Sequence, residues 1–187
     1  AITTGNYNVA VGGGALTDLT TGSENTAIGV SAMVNSTTCS NNVAVGGQAL
    51  QSCTTGAGNV AVGHNALDAN TTADDNTAVG KDALGANTTG TANVAVGFQA
   101  LKTNAGDNNT AVGMEAMEAN TTGASNTAVG QNALTANTTG TRNTSLGARS
   151  GMQTTTGNYN AFFGYDAGES NTTASSNTAV GDSSLRE

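Results

Sequence analysis

Apolar and polar positions along this chain recur with a single period. A Gly ends each short Val-Ala-Val or Thr-Ala-Val type run, at Gly12, Gly29, Gly46, Gly63, Gly80, Gly97, Gly113, Gly130, Gly147, Gly164 and Gly181. Every interval is seventeen residues except the sixteen between Gly97 and Gly113. The residue before each Gly is apolar, running Val11, Ile28, Val45, Val62, Val79, Val96, Val112, Val129, Leu146, Phe163 and Val180, and it reads as a buried core column. Four residues before each Gly stands an Asn: Asn8, Asn25, Asn42, Asn59, Asn76, Asn93, Asn109, Asn126, Asn143, Asn160 and Asn177. After the Gly come a small-residue column, Ala15 to Ala133 and then Ser150, Ala167 and Ser184, and beside it a Leu/Met column that Gly151 and Gly168 interrupt before Leu185 restores it.

A period of seventeen is too short for helix-pair repeats and fits neither a heptad nor an eleven-residue helical pattern. It suits one coil of an all-β parallel solenoid. Val and Thr flanking Ala predict a short strand, Gly a turn, Ala-Leu a second short strand, and Asn-Thr-Thr-Gly the return. Eleven coils spaced by about 4.8 Å predict a rod roughly 50 Å long. Met114–Ala119 would look helical alone, but its repeat positions hold Gly, Gln, Asn and Thr in other coils. The missing residue falls at Asn104-Ala105-Gly106, in a polar loop that tolerates it, whereas a one-residue slip inside a strand would turn its side chains to the wrong face.

In a strand the residues one and three before the Gly share a face, as Val45 and Val43 do, opposite Ala44. Both faces are apolar, and a narrow coil can enclose only one. The other wants a partner, most simply the same column of another copy, so a homo-oligomer is expected. The Asn column reads as a structural ladder, its amides stacked along the coil spacing and satisfying turn backbone groups, in preference to a row of ligand-binding amides. Paired Thr residues such as Thr71-Thr72 also form columns. Regular Thr arrays can bind ice, which is a distant alternative, because adjacent Thr residues need not share a face.

Composition narrows the function classes. The chain has no Pro or Trp, 10% charged residues and a net charge of −8 with five Lys and Arg, so no cationic patch for nucleic acid can be assembled. No run of about 18 apolar residues exists to span a bilayer. No catalytic constellation appears: His64 is the sole His and reads as a surface substitution, and Asp74-Asp75, Glu115, Glu118 and Asp166 fall at scattered loop positions. Gly12-Gly13-Gly14 is a turn, since no phosphate-loop Lys follows. The chain is expected to be no enzyme and to use no cofactor or metal.

Cys39 and Cys53, in the loops of neighbouring coils, can bridge if the chain folds tightly between them; the redox compartment stays open. Asn-x-Ser/Thr sequons recur in the Asn-Thr-rich loops and matter only in a glycosylating pathway. Aromatic residues cluster in the tenth coil. Local packing is the favoured reading, with Phe162 filling room left where Gly168 replaces Leu. The sharper one is a carbohydrate-stacking patch of Tyr159, Phe162 and Tyr165.

The pattern resembles the head repeats of YadA-type trimeric autotransporter adhesins, whose N-S-V-A-I-G is similar to Asn41-Asn42-Val43-Ala44-Val45-Gly46. Its N-T-A-V-G-x-x-A-L-x-x-N-T-T-G phrasing, from Asn126 to Gly140, resembles more closely the repeat arrays of phage tail fibres and related bacterial surface proteins. The resemblance covers essentially the whole chain. It implies a left-handed parallel β-roll, a homotrimer, and loops presented for attachment to a host glycan or receptor, which places the chain outside the cell, on a cell surface or on a virion. The coil here is longer than the adhesin head coil, and residues 1–187 are expected to hold no chaperone, coiled-coil stalk or membrane anchor.

Ala1 and Glu187 fall at the same repeat position and neither end carries a cap, so residues 1–187 are expected to be one solenoid domain, a segment of a longer fibre or a unit stacking end to end into a filament. An attachment fibre is the leading expectation, and a purely structural filament or spacer its rival.

Overall fold

A computed structural model describes residues 3–186; Ala1 and Glu187, on which the reading of the ends rests, lie outside that range. Eleven three-residue strands, β1 (Val9–Val11), β2 (Thr26–Ile28), β3 (Val43–Val45), β4 (Val60–Val62), β5 (Thr77–Val79), β6 (Val94–Val96), β7 (Thr110–Val112), β8 (Thr127–Val129), β9 (Thr144–Leu146), β10 (Ala161–Phe163) and β11 (Thr178–Val180), form one parallel sheet in chain order. Each strand therefore pairs with the next coil's copy of itself, Val43 with Val60 and Val45 with Val62. The chain is a parallel β-solenoid, with no helix among the described residues. Met114–Ala119 takes the same turns as the other coils. The one-residue deletion leaves the flanking strands aligned, Val94 opposite Thr110.

The second strand expected at Ala-Leu does not form. Two successive turns replace it: in the coil of Gly63, Ala66 N–H donates to the Gly63 carbonyl at 3.4 Å and Asn70 N–H to the Leu67 carbonyl at 3.1 Å. The Leu/Met residue itself is left-handed, with φ between 48° at Leu185 and 53° at Leu67. That conformation disfavours L-residues by roughly 1–2 kcal/mol each. It persists because it points the side chain into the rod, where Leu67, Leu84, Leu101, Met117 and Leu134 have no exposed surface. Coil stacking then gives the turn a long-range partner, Leu67 N–H to the Ala83 carbonyl at 3.1 Å.

The strand glycines are held by stacking as well as by backbone conformation. Gly63 has φ of +137°, and a Cβ there would lie 2.5 Å from the Gly80 carbonyl oxygen. Only Gly meets both conditions.

The interior corrects the core assignment. The fully buried strand residue is the middle one, Ala27, Ala44, Ala61, Ala78, Ala95, Ala111 and Ala128, and with it Ser145 and Phe162. Val11, Ile28, Val45, Val62, Val79, Val96, Val112, Val129, Leu146, Phe163 and Val180 point outward instead, part-exposed or exposed. The reason is width. A strand three residues long faces a wall of Ala and Leu across a narrow coil, and the opposite wall leaves room for a methyl group but not for a second branched side chain.

Candidate interaction surface

The Asn column lines the inside of the rod. The backbone N–H of Asn59 donates to Asn42 Oδ1 at 2.8 Å, and the Asn59 amide donates to the Ala73 carbonyl at 2.9 Å, where the chain returns. The link repeats from Asn25 on Asn8 to Asn177 on Asn160. Asn25, Asn42, Asn59, Asn76, Asn93, Asn109, Asn126 and Asn143 have no exposed surface, and Asn160 has almost none. Their amides are consumed internally, leaving none for a ligand.

A second buried amide column was not legible as such. Asn70, Asn87, Asn120 and Asn137, which begin the polar Asn-Thr-Thr loops, and Asn104, which begins the shortened one, have no exposed surface. Each amide closes its own turn, as Asn87 does by donating to the Gly90 carbonyl at 3.0 Å while accepting from Gly90 N–H at 3.1 Å. The signal was available, because the same repeat position holds Leu19 and Cys53 in other coils, both buried.

A disulfide joins Cys39 to Cys53, with Cα atoms 6.4 Å apart. Cys53 replaces the interior Asn of its coil and Cys39 the small residue that faces it, so the bridge occupies space that elsewhere holds an amide and a Gly, as Asn70 and Gly56 do.

The aromatic patch, the less favoured of the two readings, does not assemble. Phe162 is fully buried and cannot stack on a ligand. Its ring fills the space where a Leu would stand: Cβ atoms built on Gly151 and Gly168 would lie 2.7 Å and 2.5 Å from it. Tyr159 and Tyr165 are exposed at opposite ends of β10, each beside an arginine; Arg142 donates to the Tyr159 hydroxyl at 2.6 Å, and Arg149 lies over the Tyr165 ring.

Arg149 belongs to a cluster that spans three coils. It pairs with Asp166 and donates to Glu169, and Arg186 from the next coil reaches Glu169 at 3.0 Å and Asp166 at 3.7 Å. Both carboxylates are buried. The Arg149 hydrogen bond holds the Glu169 carboxyl below the ordinary glutamate range. The cluster covers the coils in which Gly replaces Leu, and its reach across coils makes it a clasp.

Of the two Thr columns, one is spent on the fold: Thr54 and Thr121 donate their hydroxyls to the Thr71 and Thr138 carbonyls at 3.0 Å and 2.9 Å. The other, including Thr55, Thr72, Thr89, Thr122 and Thr139, is exposed, and Ala105 interrupts it. His64 is exposed, and among the described residues no group of three or more His, Cys, Asp or Glu could hold a metal ion. No helix among them is long and apolar enough to cross a membrane.

Apart from the exposed Thr column, a second longitudinal stripe faces outward. The residues one and three before each Gly face outward on all eleven strands, and none of the chain's five Lys and Arg or thirteen Asp and Glu falls among them. No family model matches the chain, and neither do curated proteins or solved structures. The stripe is uncharged, with Val11, Ile28, Val43, Val79, Val129, Leu146 and Val180 exposed on it and Thr26, Thr77, Thr110, Thr127, Thr144 and Thr178 standing among them. Turns at its two margins carry the variable side chains, such as Val30, His64, Lys81, Phe98 and Met114 on one side and Tyr7, Asp75, Arg142 and Tyr159 on the other.

Proposed function

We propose that this chain is a segment of a surface fibre, of the bacterial adhesin or phage tail-fibre kind, in which copies of the chain pack along the Val/Ile stripe and present their marginal turns to a host surface. The observation that carries this reading is the stripe's freedom from charge over eleven strands, on a chain whose eighteen charged residues all fall elsewhere in the sequence. A stripe of about 50 Å by 10 Å, roughly 500 Å² per chain from strand spacing, is smaller than the roughly 800 Å² per partner of a standard interface. A closed set of three, with every stripe facing a common axis, covers it fully, in keeping with the resemblance to trimeric, left-handed rolls. The segment would work outside the cell, on a cell surface or virion, with a host glycan or receptor as its target.

The test is solution mass by light scattering on the wild-type protein and on Val62→Lys, whose side chain points outward and leaves the coil interior untouched. A mass of three chains that falls to one in the variant is expected. A wild-type monomer at tens of micromolar would sink the stripe as an interface. A second reading, a structural filament or spacer without a ligand, is favoured by the burial of Phe162, which removes the one aromatic patch. Binding of the assembled rod to host cells separates the two.

A further inference from the structure

The fold sorts the chain's eight Asn-x-Ser/Thr sequons into two exposed, five buried and one half-buried. Asn35 and Asn108 are exposed, and neither side chain has a partner within the rod. Asn70, Asn87, Asn120, Asn137 and Asn143 have no exposed surface at all. In the last three both amide hydrogens are already donated: Asn120 to Asn104 Oδ1 at 2.6 Å and the Gly123 carbonyl at 2.9 Å, Asn137 to Asn120 Oδ1 at 2.8 Å and the Gly140 carbonyl at 3.2 Å, and Asn143 to Asn126 Oδ1 at 3.2 Å and the Gly157 carbonyl at 2.8 Å. Asn171, half-buried, donates both amide hydrogens, to the Ala174 carbonyl at 3.2 Å and Thr154 Oγ1 at 3.4 Å.

We propose that Asn35 and Asn108 are the two positions at which the folded rod can carry an N-linked glycan, and that glycan transfer to the five buried sequons prevents folding. Transfer from a polyprenyl-pyrophosphate-linked oligosaccharide forms a bond between sugar C1 and Asn Nδ2. It breaks the C1–O bond to the pyrophosphate, which leaves as the lipid pyrophosphate, and releases one amide proton. The product has one Nδ2 hydrogen where Asn120, Asn137 and Asn143 use two, and a bulky polar group where the rod has no space. Transfer to a nascent chain precedes coil stacking, so the buried sequons meet the enzyme while still accessible. The wild-type chain therefore folds only where no transferase acts on it during synthesis.

Five of the six unwanted sequons can be removed at the surface, and the sixth at Ser145, whose buried hydroxyl donates to the Ser150 carbonyl at 2.7 Å. The third residues Thr72, Thr89, Thr122 and Thr139 are exposed, and Thr173 likewise closes the Asn171 sequon. Ser145, which closes the Asn143 sequon, stands where the other coils carry Ala, Phe162 excepted. A variant with Thr72→Ala, Thr89→Ala, Thr122→Ala, Thr139→Ala, Ser145→Ala and Thr173→Ala keeps only Asn35 and Asn108. Both chains are made first in bacteria without the transferase, where equal thermal transitions show an equal fold, and then as secreted proteins in a glycosylating eukaryotic cell. The variant is expected to be secreted at least tenfold better, with glycan mapped by mass spectrometry to Asn35 and Asn108. Blocking synthesis of the lipid-linked donor should restore secretion of the wild type. Secretion of folded wild-type rod without that block, or a secreted variant bare at Asn35 and Asn108, overturns the proposal.

Discussion

Asn76 N–H donates to Asn59 Oδ1 at 3.0 Å, so the side chain of one coil supplies the acceptor for the backbone of the next. Asn59→Ala leaves that buried donor unpaired, at a cost of about 1–3 kcal/mol. Urea titration should show a lower midpoint, and hydrogen exchange should speed up first at the coils on either side of residue 59.

Gly63→Ala should be far worse than Gly47→Ala. Gly63 is left-handed and a Cβ there strikes the Gly80 carbonyl, whereas Gly47 has ordinary φ and its nearest neighbour would be the flexible His64 ring at 3.4 Å. Circular dichroism melts are expected to place Gly47→Ala within about 0.5 kcal/mol of wild type and Gly63→Ala several degrees lower.

Phe162→Ala empties the tenth coil and should cost about 3–5 kcal/mol. Adding Gly151→Leu and Gly168→Leu should recover most of that loss, because both positions have the left-handed φ, 58° and 62°, at which the rod elsewhere holds Leu. A triple variant no more stable than Phe162→Ala would show that Phe162 does not stand in for the two missing side chains.

Acid should loosen the C-terminal coils before the rest. Glu169 is held below its ordinary value of 4.5, chiefly by the Arg149 hydrogen bond, so its contribution is fully present above that value and disappears as the pH falls through the depressed one. Hydrogen exchange measured from neutral to acid pH should show coils nine to eleven losing protection first. In Glu169→Gln that pH dependence should flatten.

Reduction of the Cys39–Cys53 bond frees a link across fourteen residues of chain separation. A loop of this size is worth about 3 kcal/mol in chain entropy. Cys39→Gly with Cys53→Asn restores the residues that other coils use and should recover part of this through the amide turn, so its melting temperature should fall between those of the oxidised and reduced wild type.

Much of this was legible in the sequence because a one-dimensional repeat writes its contacts into its period. The strands, the left-handed Gly and the placing of the deletion at Ala105 all follow from register. Choosing between Ala44 and Val45 for the interior did not, since both are apolar and the choice depends on coil width, which only the opposing wall fixes. The conformation of Leu67 was equally hidden: hydrophobicity says which side chain goes inside but not by what backbone route. Asn70 looked like loop because it is polar, although Cys53 and Leu19 shared its position. The clasp of Arg149 with Glu169 joins residues twenty apart, and its four members stand at two repeat positions whose residue type changes from coil to coil, so no column announced it.

The sixteen-residue interval at Ala105 shows where a coil keeps its slack. Everything from the Asn through the strand to the Leu is locked to neighbours above and below, while the return segment absorbs a lost residue without disturbing Val94 and Thr110. Because most junctions repeat the one before, recombination between units of the gene can add or drop a coil outside the disulfide and the Arg149 clasp and leave the column contacts intact. Length in such a rod is heritable in steps of about 4.8 Å, so selection can tune its reach as a quantity separate from the chemistry of the faces it carries.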